Sequence, residues 1–429
     1  MFLSKLEIEN YRSVKKLCLC CGELVTLLGP NNHGKSNVLS ALEFGLSTSV
    51  KPTEEDFFTF RRSEEDHPQV ASELWVEMTF SELTEQEKNT FGRYFLNGDT
   101  IRVRKTAQIK DGKPEIAYNG YVREPEEEWL QASNAGNYTS REKINETQLK
   151  DFVPESGRLS KTDIEKAQKE YIKQNQDKLS FSTKLDANPF MGAKNVASGL
   201  LPEFFLIPAV RDLTEEIKIK ATTTFGRLMN RAVREMAERD ERFKDAREKL
   251  ESVVTALNIR GEETDNELAK LEKNIQDELK AWDVRVNIEV SPPEMEKLFE
   301  LGTDIHLDDG VRTKADRKGN GLQRAMMFAL LRAWANALRS REEDTDENPA
   351  PRKQSDSVIF AMEEPELFLH PHAQRRLSDS LREIAATPQH QVFLSTHSTH
   401  FVDLNHYKQI AIINKEDAGR GSQISQCTE

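Results

Sequence analysis

Cysteine is scarce in this chain, with four residues among 429. That count excludes a disulfide-stapled fold. Cys18, Cys20 and Cys21 crowd into one CLCC stretch, and Cys427 stands far from them. Tetrahedral zinc usually needs two separated ligand pairs, and no second Cys or His pair lies at a fitting distance. The cluster reads as a strand carrying small buried hydrophobes. Long apolar runs are missing too. A membrane span needs about 20 consecutive apolar residues, and the longest candidate, Met326 to Leu338, is interrupted by Arg332. The opening MFLSKLEIENYRS has neither the apolar core nor the small-residue cleavage site of a secretory signal. A cytoplasmic protein with no membrane partner is the expectation. Positive charge is in deficit, the formal net charge being −13. This argues against wrapping of nucleic acid by the whole surface but leaves room for a local basic groove. Internal repeats and low-complexity tracts are absent as well.

What is present is a chain of 31% charged and 37% hydrophobic residues, long enough for roughly two to three domains. Strands are expected over 2–8 and 17–28, the second running straight into a glycine-rich loop. A helix with Val38, Leu39, Leu42 and Phe44 on its apolar positions follows. Further strands are expected over 70–80, 100–109 and 115–122, and the polar stretch 124–200 reads as helices and loops without a clear strand. FFLIPAV (204–210) is strand-like. Residues 213–282 show helical periodicity with a break near Asn258–Gly261, which predicts two antiparallel helices. Their alternating charge fits either a solvated face or an arm pairing with another subunit. Strands over 284–290 and 303–308, a helix over 322–338, a polar linker over 341–356, a buried strand over 358–362, a helix over 371–386 and strands at QVFLSTH and QIAIIN complete the pattern. The domain expectation is therefore an N-terminal head part (1–130), a helical or irregular insertion (131–200), a return strand (201–212), a helical arm (213–283) and a C-terminal head part (284–429).

Four short stretches carry chemistry. GPNNHGKSN fits G-x-x-x-x-G-K-[ST] in full between a strand and a helix, the context that a phosphate loop requires. Backbone N–H groups from Gly29, Asn31, Asn32, His33, Gly34 and Asn37 would wrap phosphates, helped by the helix N-terminus. Lys35 would bring a point charge to the β- and γ-phosphates, and Ser36 a hydroxyl to Mg²⁺. VIFAMEEPE delivers two acids at the carboxyl end of a buried strand, where open α/β sheets place ligands. Glu363 is the candidate metal ligand and Glu364 the residue that polarises the attacking water. FLSTHS ends another apolar strand in His397, a candidate γ-phosphate contact. KGNGLQR opens a helix with two glycines, a second potential anion site.

The order of these stretches resembles the ATP-binding-cassette ATPases of the SMC and RecF type. More narrowly, LEIENYRSVKKL, FLIPAVRDL, GNGLQRAMMFALL and EEPELFLHPHAQRRL resemble the OLD (overcoming lysogenization defect) family. The resemblance covers about 1–130 and 200–415. It implies an α/β fold, an ABC-type P-loop ATPase head with an inserted helical arm, and a homodimer or higher oligomer of heads with ATP and Mg²⁺ sandwiched between them. Carried over by position, Gly319, Asn320, Gly321 and Gln323 act in trans, with Asn320 where the usual signature has serine. Arg12 either touches the nucleotide or is a surface arginine. EEDFF (54–58) is the one guess for the missing Q-loop, and Arg211 and Asp212 belong to a family phrase of unassigned role. OLD proteins continue into a Toprim nuclease, and NKEDAGRGSQISQCTE after Ile413 does not fit one, so the expectation is either the truncated ATPase part of a longer nuclease or a chain that works with a separate effector. The first functional expectation is an ATPase head that gates a nuclease or effector in DNA processing or anti-phage defence. The alternative is a RecF- or SMC-like nucleotide-switched clamp on DNA. A transporter subunit and a nuclease within this chain are disfavoured.

Overall fold

The computed structural model describes residues 1–47, 50–60, 69–96, 99–110, 113–154, 157–175, 178–192, 199–209, 240–258, 305–319, 357–415 and 419–427, with isolated positions between. The chain divides into two compact units, Met1–Ala209 with Asp346–Glu429, and Val210–Thr345.

The first unit opens with β1 (Phe2–Tyr11) and β2 (Val14–Cys20), an antiparallel hairpin. Alternation along β2 buries Val14, Leu17 and Leu19 and exposes Cys18 and Cys20. The expectation of a buried thiol cluster is thus corrected: in LCLC the leucines point inward and the cysteines outward, and two apolar residue types hide the period of two. β3 (Leu24–Leu28) is a separate strand in a different sheet, so the single strand expected over 17–28 is broken at 21–23. α1 (Lys35–Leu46) follows the glycine loop. β4 (Thr59–Phe60) and β5 (Gln69–Val70) form a short ribbon. Then come β6 (Glu73–Ser81), α2 (Glu85–Phe91), β7 (Phe95–Leu96), β8 (Thr100–Lys110) and β9 (Lys113–Pro125).

Between β9 and the strand β10 (Phe181–Leu185), two helices, α3 (Arg141–Asn145) and α4 (Lys161–Asn175), close with 3₁₀ turns over a core of their own that includes Leu130, Ile144, Leu149, Ile164 and Tyr171. β10 corrects the expectation that 124–200 holds no strand. FSTKL is a five-residue edge strand with no fully buried position, too short and too polar to announce itself. The antiparallel sheet runs β10-β9-β8-β6-β1-β2, with β7 on β8. Its inner face, including Leu6, Ile8, Val76, Met78 and Val103, packs in one core with Val38, Leu42 and Phe44 of α1.

The second sheet of this unit holds the carboxyl-edge residues. It contains β11 (Glu203–Ile207), β14 (Val358–Glu363), β15 (His390–Ser395), β16 (Ile410–Asn414) and β17 (Gln423–Gln426) in the order β11-β14-β15-β3-β16-β17. All pairs are parallel except the last. β14 and β15 are almost wholly buried, as strands covered on both faces must be. Gln391, 1% exposed, ties this sheet to the first: its Oε1 accepts from Leu3 N (2.7 Å) and its Nε2 donates to Leu3 O (2.9 Å) and Gly22 O (3.1 Å).

The second unit contains β12 (His306–Asp308) and β13 (Arg312–Lys314), an antiparallel hairpin, and α5 (Glu241–Asn258). α5 lies in the stretch expected to form a helical arm. Most of the remainder of that stretch, Arg211 and Asp212, most of the strand over 284–290 and of the helix over 322–338, and the linker over 341–356 lie outside the described residues.

One buried charge joins sheet to helix. Lys105 sits on the inner face of β8, and its Nζ donates to Phe44 O (2.8 Å) and Ser47 O (2.6 Å) at the end of α1, where helical carbonyls lack partners. Burial pushes this ammonium down from 10.5 to about 8. The neutral amine still has two N–H donors for the two carbonyls. Because the folded value lies below the unfolded one, the cost of charging Lys105 is fully present below pH 8 and fades as pH rises toward 10.5. The stability of the wild type relative to Lys105→Met should therefore increase between those limits. Denaturant unfolding of both proteins at the two ends of the window checks it.

Candidate active site

The register of the parallel sheet sets the geometry. Glu363 pairs with Ser395, and Ser395 with Leu27, so three strands end level with one another. The next residues of each leave the sheet on the same edge. They are the glycine loop after β3, Glu364 to Glu366 after β14, and Thr396 to Ser398 after β15.

The glycine loop turns on two residues that cannot carry a side chain. Gly29 has φ +150°, and a Cβ there would lie 2.1 Å from Ile413 O. Gly34 has φ +103°, and a Cβ would lie 2.3 Å from Ser422 Oγ. Asn32 also adopts positive φ, which asparagine tolerates. Asn31, Asn32 and Ser36 are exposed. α1 starts at Lys35 without a side-chain cap, leaving the first-turn N–H groups that attract anions.

Lys35 is 5% exposed. Its Nζ donates to Gly29 O (2.9 Å) and Pro30 O (2.9 Å) and lies 2.9 Å from His397 Nε2. Burial lowers its proton affinity, while Glu364 and Glu366 act in the opposite sense. A protonated Lys35 has only donors, so it requires His397 Nε2 as the acceptor nitrogen. His397 Nε2 also lies 3.8 Å from Glu364 Oε1. Glu364 has φ +42°, an uncommon backbone state for a non-glycine residue. Its N–H donates to Ser395 O (2.7 Å). Glu363 Oε2 accepts from Ala209 N (3.2 Å). The structure thus brings Lys35, Glu364 and His397 into direct succession, with Glu363 one residue away.

The other expected positions bond to groups outside the Lys35–His397–Glu364 succession. His33 Nδ1 accepts from Lys415 N (2.9 Å). Asn37 Nδ2 donates to Ser13 Oγ (2.7 Å), which lies 2.8 Å from Ser422 Oγ, and Ser422 N donates to Ser13 O (2.7 Å). Arg12 has φ +47°, donates from Nε to Asp56 Oδ1 (2.8 Å) and from Nη1 to Ser40 Oγ (3.2 Å), and lies in the electrostatic range of Glu363. Asp56, within the EEDFF stretch, thereby serves as its tether. In the second unit Gln323 is 1% exposed and its Nε2 donates to Lys318 O (2.7 Å) and Asp316 O (3.3 Å). Gly319 and Gly321 are described, whereas Asn320 lies outside the described residues.

Four residues at this edge have no recognisable role in the sequence. Ser13 and Ser422 brace the loop from positions 409 apart in the chain, a relation no local pattern reveals. Glu366 and Gln374 join the turns after β14 and β15. The repeated acid of EEPE is the only signal for Glu366.

A buried parallel sheet, a glycine loop between strand and helix and two acids with a histidine on the neighbouring strand ends are the features of an α/β protein of the P-loop ATPase class. The AAA ATPase domain family matches residues 1–402, and the chain belongs to that family. The Old nuclease of Escherichia phage P2 is 24% identical over 430 residues, covering 97% of this chain and 60% of that protein. The OLD nuclease of Thermus scotoductus is 42% identical over 55 residues, 13% of this chain and 10% of that protein. The OLD-type resemblance carried by the motifs is borne out by these relatives. The chain spans 60% of the length of the phage relative. Among solved structures, an SMC head bound to the C-winged helix domain of ScpA aligns with a TM-score of 0.46 and 16% identity, covering 100% of this chain and 98% of that one. An SMC head domain from Thermotoga maritima aligns at 0.37 and 14%, covering 100% of both chains. Among the described residues, no helix is long and apolar enough to cross a membrane.

Gly34→Ala tests the cradle. With a Cβ forced against Ser422 and Ser13, the variant should unfold at lower temperature and bind ATP at least about tenfold more weakly, a loss of ~1.4 kcal/mol. Differential scanning fluorimetry and a nucleotide titration measure both effects.

Proposed function

We propose that the chain is an ATP-hydrolysing head that works as a homodimer or higher homo-oligomer and gates a nuclease or effector acting on DNA, as in anti-phage defence. The observation that carries this reading is the succession Lys35–His397–Glu364 at the mouth of the glycine loop. Gly29 and Gly34 let the loop pack directly against Ile413, Ser13 and Ser422, where a Cβ would collide, and the N-terminus of α1 has no capping side chain. These features fit a polyphosphate.

Each residue then has a task. The loop N–H groups and Asn31, Asn32 and Asn37 hold the phosphates. Lys35 exchanges its loop carbonyls for phosphate oxygens, a change that costs little because its ammonium stays hydrogen-bonded. Ser36 and Glu363 would hold Mg²⁺, which supplies neutralisation of phosphate charge when bound. Glu364 orients and polarises the attacking water, and His397, released from Lys35, turns a nitrogen toward the γ-phosphate. Hydrolysis of this kind rests on positioning and charge rather than covalent chemistry. Arg12, tethered by Asp56, contributes positive charge beside Glu363. Gly319, Asn320, Gly321 and Gln323 complete the site from a second copy. Gln323 acts by holding the turn before it rather than by touching nucleotide, in keeping with its burial. The relation to the Old nuclease supports a nuclease as the gated activity.

Glu364→Gln is the test of this assignment. It should bind ATP within about threefold of wild type but lower turnover by roughly 100-fold or more, a ~2.7 kcal/mol loss of transition-state stabilisation. ATP should also convert it from monomer to dimer in a mass measurement. Normal turnover of the variant would remove Glu364 from the chemistry, and a mass that stays monomeric with ATP would remove the trans signature.

A further inference from the structure

Two side chains outside the assigned site stitch its two strand-end turns together. Glu366 uses both carboxylate oxygens. Oε1 accepts from His397 N (2.7 Å), and Oε2 accepts from Thr396 Oγ1 (2.8 Å). Gln374, on the helix α6 (Pro371–Ala385), reaches both turns as well. Its Nε2 donates to Leu369 O (3.0 Å) and Glu366 O (3.3 Å), and its Oε1 accepts from Ser398 Oγ (2.8 Å). Thr396 Oγ1 also accepts from Ser398 N (3.0 Å), which closes the turn around His397.

These bonds run between the two turns and the helix that follows the first of them. β14 and β15 are already paired over six positions, so the sheet does not depend on the cluster. What the cluster fixes is the course of the chain after Ser395, and so the place of the His397 ring. The backbone N–H of His397 is held by Glu366 while its ring meets Lys35 and Glu364. Hydrogen bonds to an ionised acceptor are the stronger ones, and a displacement of about 1 Å in a positioned group can cost on the order of 100-fold in rate.

We propose that Glu366, backed by Gln374, is a positioning residue that fixes His397 for hydrolysis of the nucleotide. This rests on the ATPase reading above. Glu366 acts only through the turn that carries His397, without touching the nucleotide. Glutamine at this position keeps an oxygen for His397 N–H and offers an N–H₂ to Thr396 Oγ1, so it preserves the clip without the charge. Alanine removes the clip.

The test compares ATP turnover of wild type, Glu366→Ala, Glu366→Gln, His397→Ala, Gln374→Ala and the Glu366→Ala/His397→Ala double variant, with amide hydrogen exchange of His397 measured alongside. Glu366→Ala should lower kcat about tenfold or more with KM for ATP within threefold. Glu366→Gln should recover most of that loss, and Gln374→Ala should lower kcat less than Glu366→Ala. The double variant should be no slower than His397→Ala alone, the non-additivity expected of residues that act as one unit. Independent of turnover, the His397 amide should be protected in wild type and exchange at least tenfold faster in Glu366→Ala. Losses that multiply in the double variant, a Gln variant as slow as the Ala variant, or unchanged exchange of the His397 amide would overturn the proposal. A wild type that hydrolyses no ATP would refute the ATPase reading instead, and the exchange comparison would still decide whether the clip holds His397.

Discussion

Level strand ends are the constraint on which the site depends. In the parallel sheet Leu27, Ser395 and Glu363 occupy one row, so whatever follows each strand emerges beside its neighbours. Three chain segments, the first more than 320 positions from the others, are thereby delivered side by side: the loop that begins at Gly29, the acids after Met362 and the turn after Ser395. β14 and β15 are buried on both faces, so a slip of one residue would exchange side chains of different shape between two close-packed faces, which makes that register costly to shift. The bond from Glu364 N to Ser395 O extends the pairing past the last residue of β14. It holds Glu364 in a left-handed backbone conformation, which such residues keep only where their surroundings over-determine them.

Electrostatics at this edge are arranged around one ammonium. Lys35 is nearly enclosed, and burial works against its charge. Two loop carbonyls and a histidine nitrogen accept its three N–H groups, and two carboxylates lie within range. Glycine is what allows the carbonyls of Gly29 and Pro30 to fold back on this lysine. The ammonium is thus held desolvated, with its three N–H groups all directed at acceptors of the loop and the neighbouring strand end. The loop itself is braced from behind by the C-terminal strands, through Ile413, Lys415 and Ser422. Chain segments that carry no motif thus set the shape of the one that does.

Much of this arrangement is legible in the order of the amino acids. GPNNHGKSN, VIFAMEEPE and FLSTHS each carry both a buried strand and the polar residue at its end, so the motif and its position in the sheet are read together. Strands with long apolar runs show themselves to within a few positions of their ends. Other features stay hidden for identifiable reasons. In β2, leucine and cysteine are both apolar, and their alternation looks like a continuous buried run. β10 is too short and polar to stand out. Ser13 and Ser422 meet only in three dimensions. Glu366 is visible as an acid in a phrase full of acids, but its double acceptance from Thr396 and His397 depends on the register between two strands, which no spacing encodes. Gln323 reads as a residue facing a partner, whereas it is turned inward onto the carbonyls of its own turn.

The proposed function requires that the enclosed ammonium of Lys35 recognise a nucleotide. The direct measurement is a calorimetric titration of Mg²⁺ and ATP into the wild-type chain and into Lys35→Met, which keeps the aliphatic stem and removes the charge. Saturable binding by the wild type at one site per chain is expected, with a loss of at least about 100-fold in affinity for the variant, ~2.7 kcal/mol. Equal binding by the two proteins, or none by a folded wild type, would contradict it.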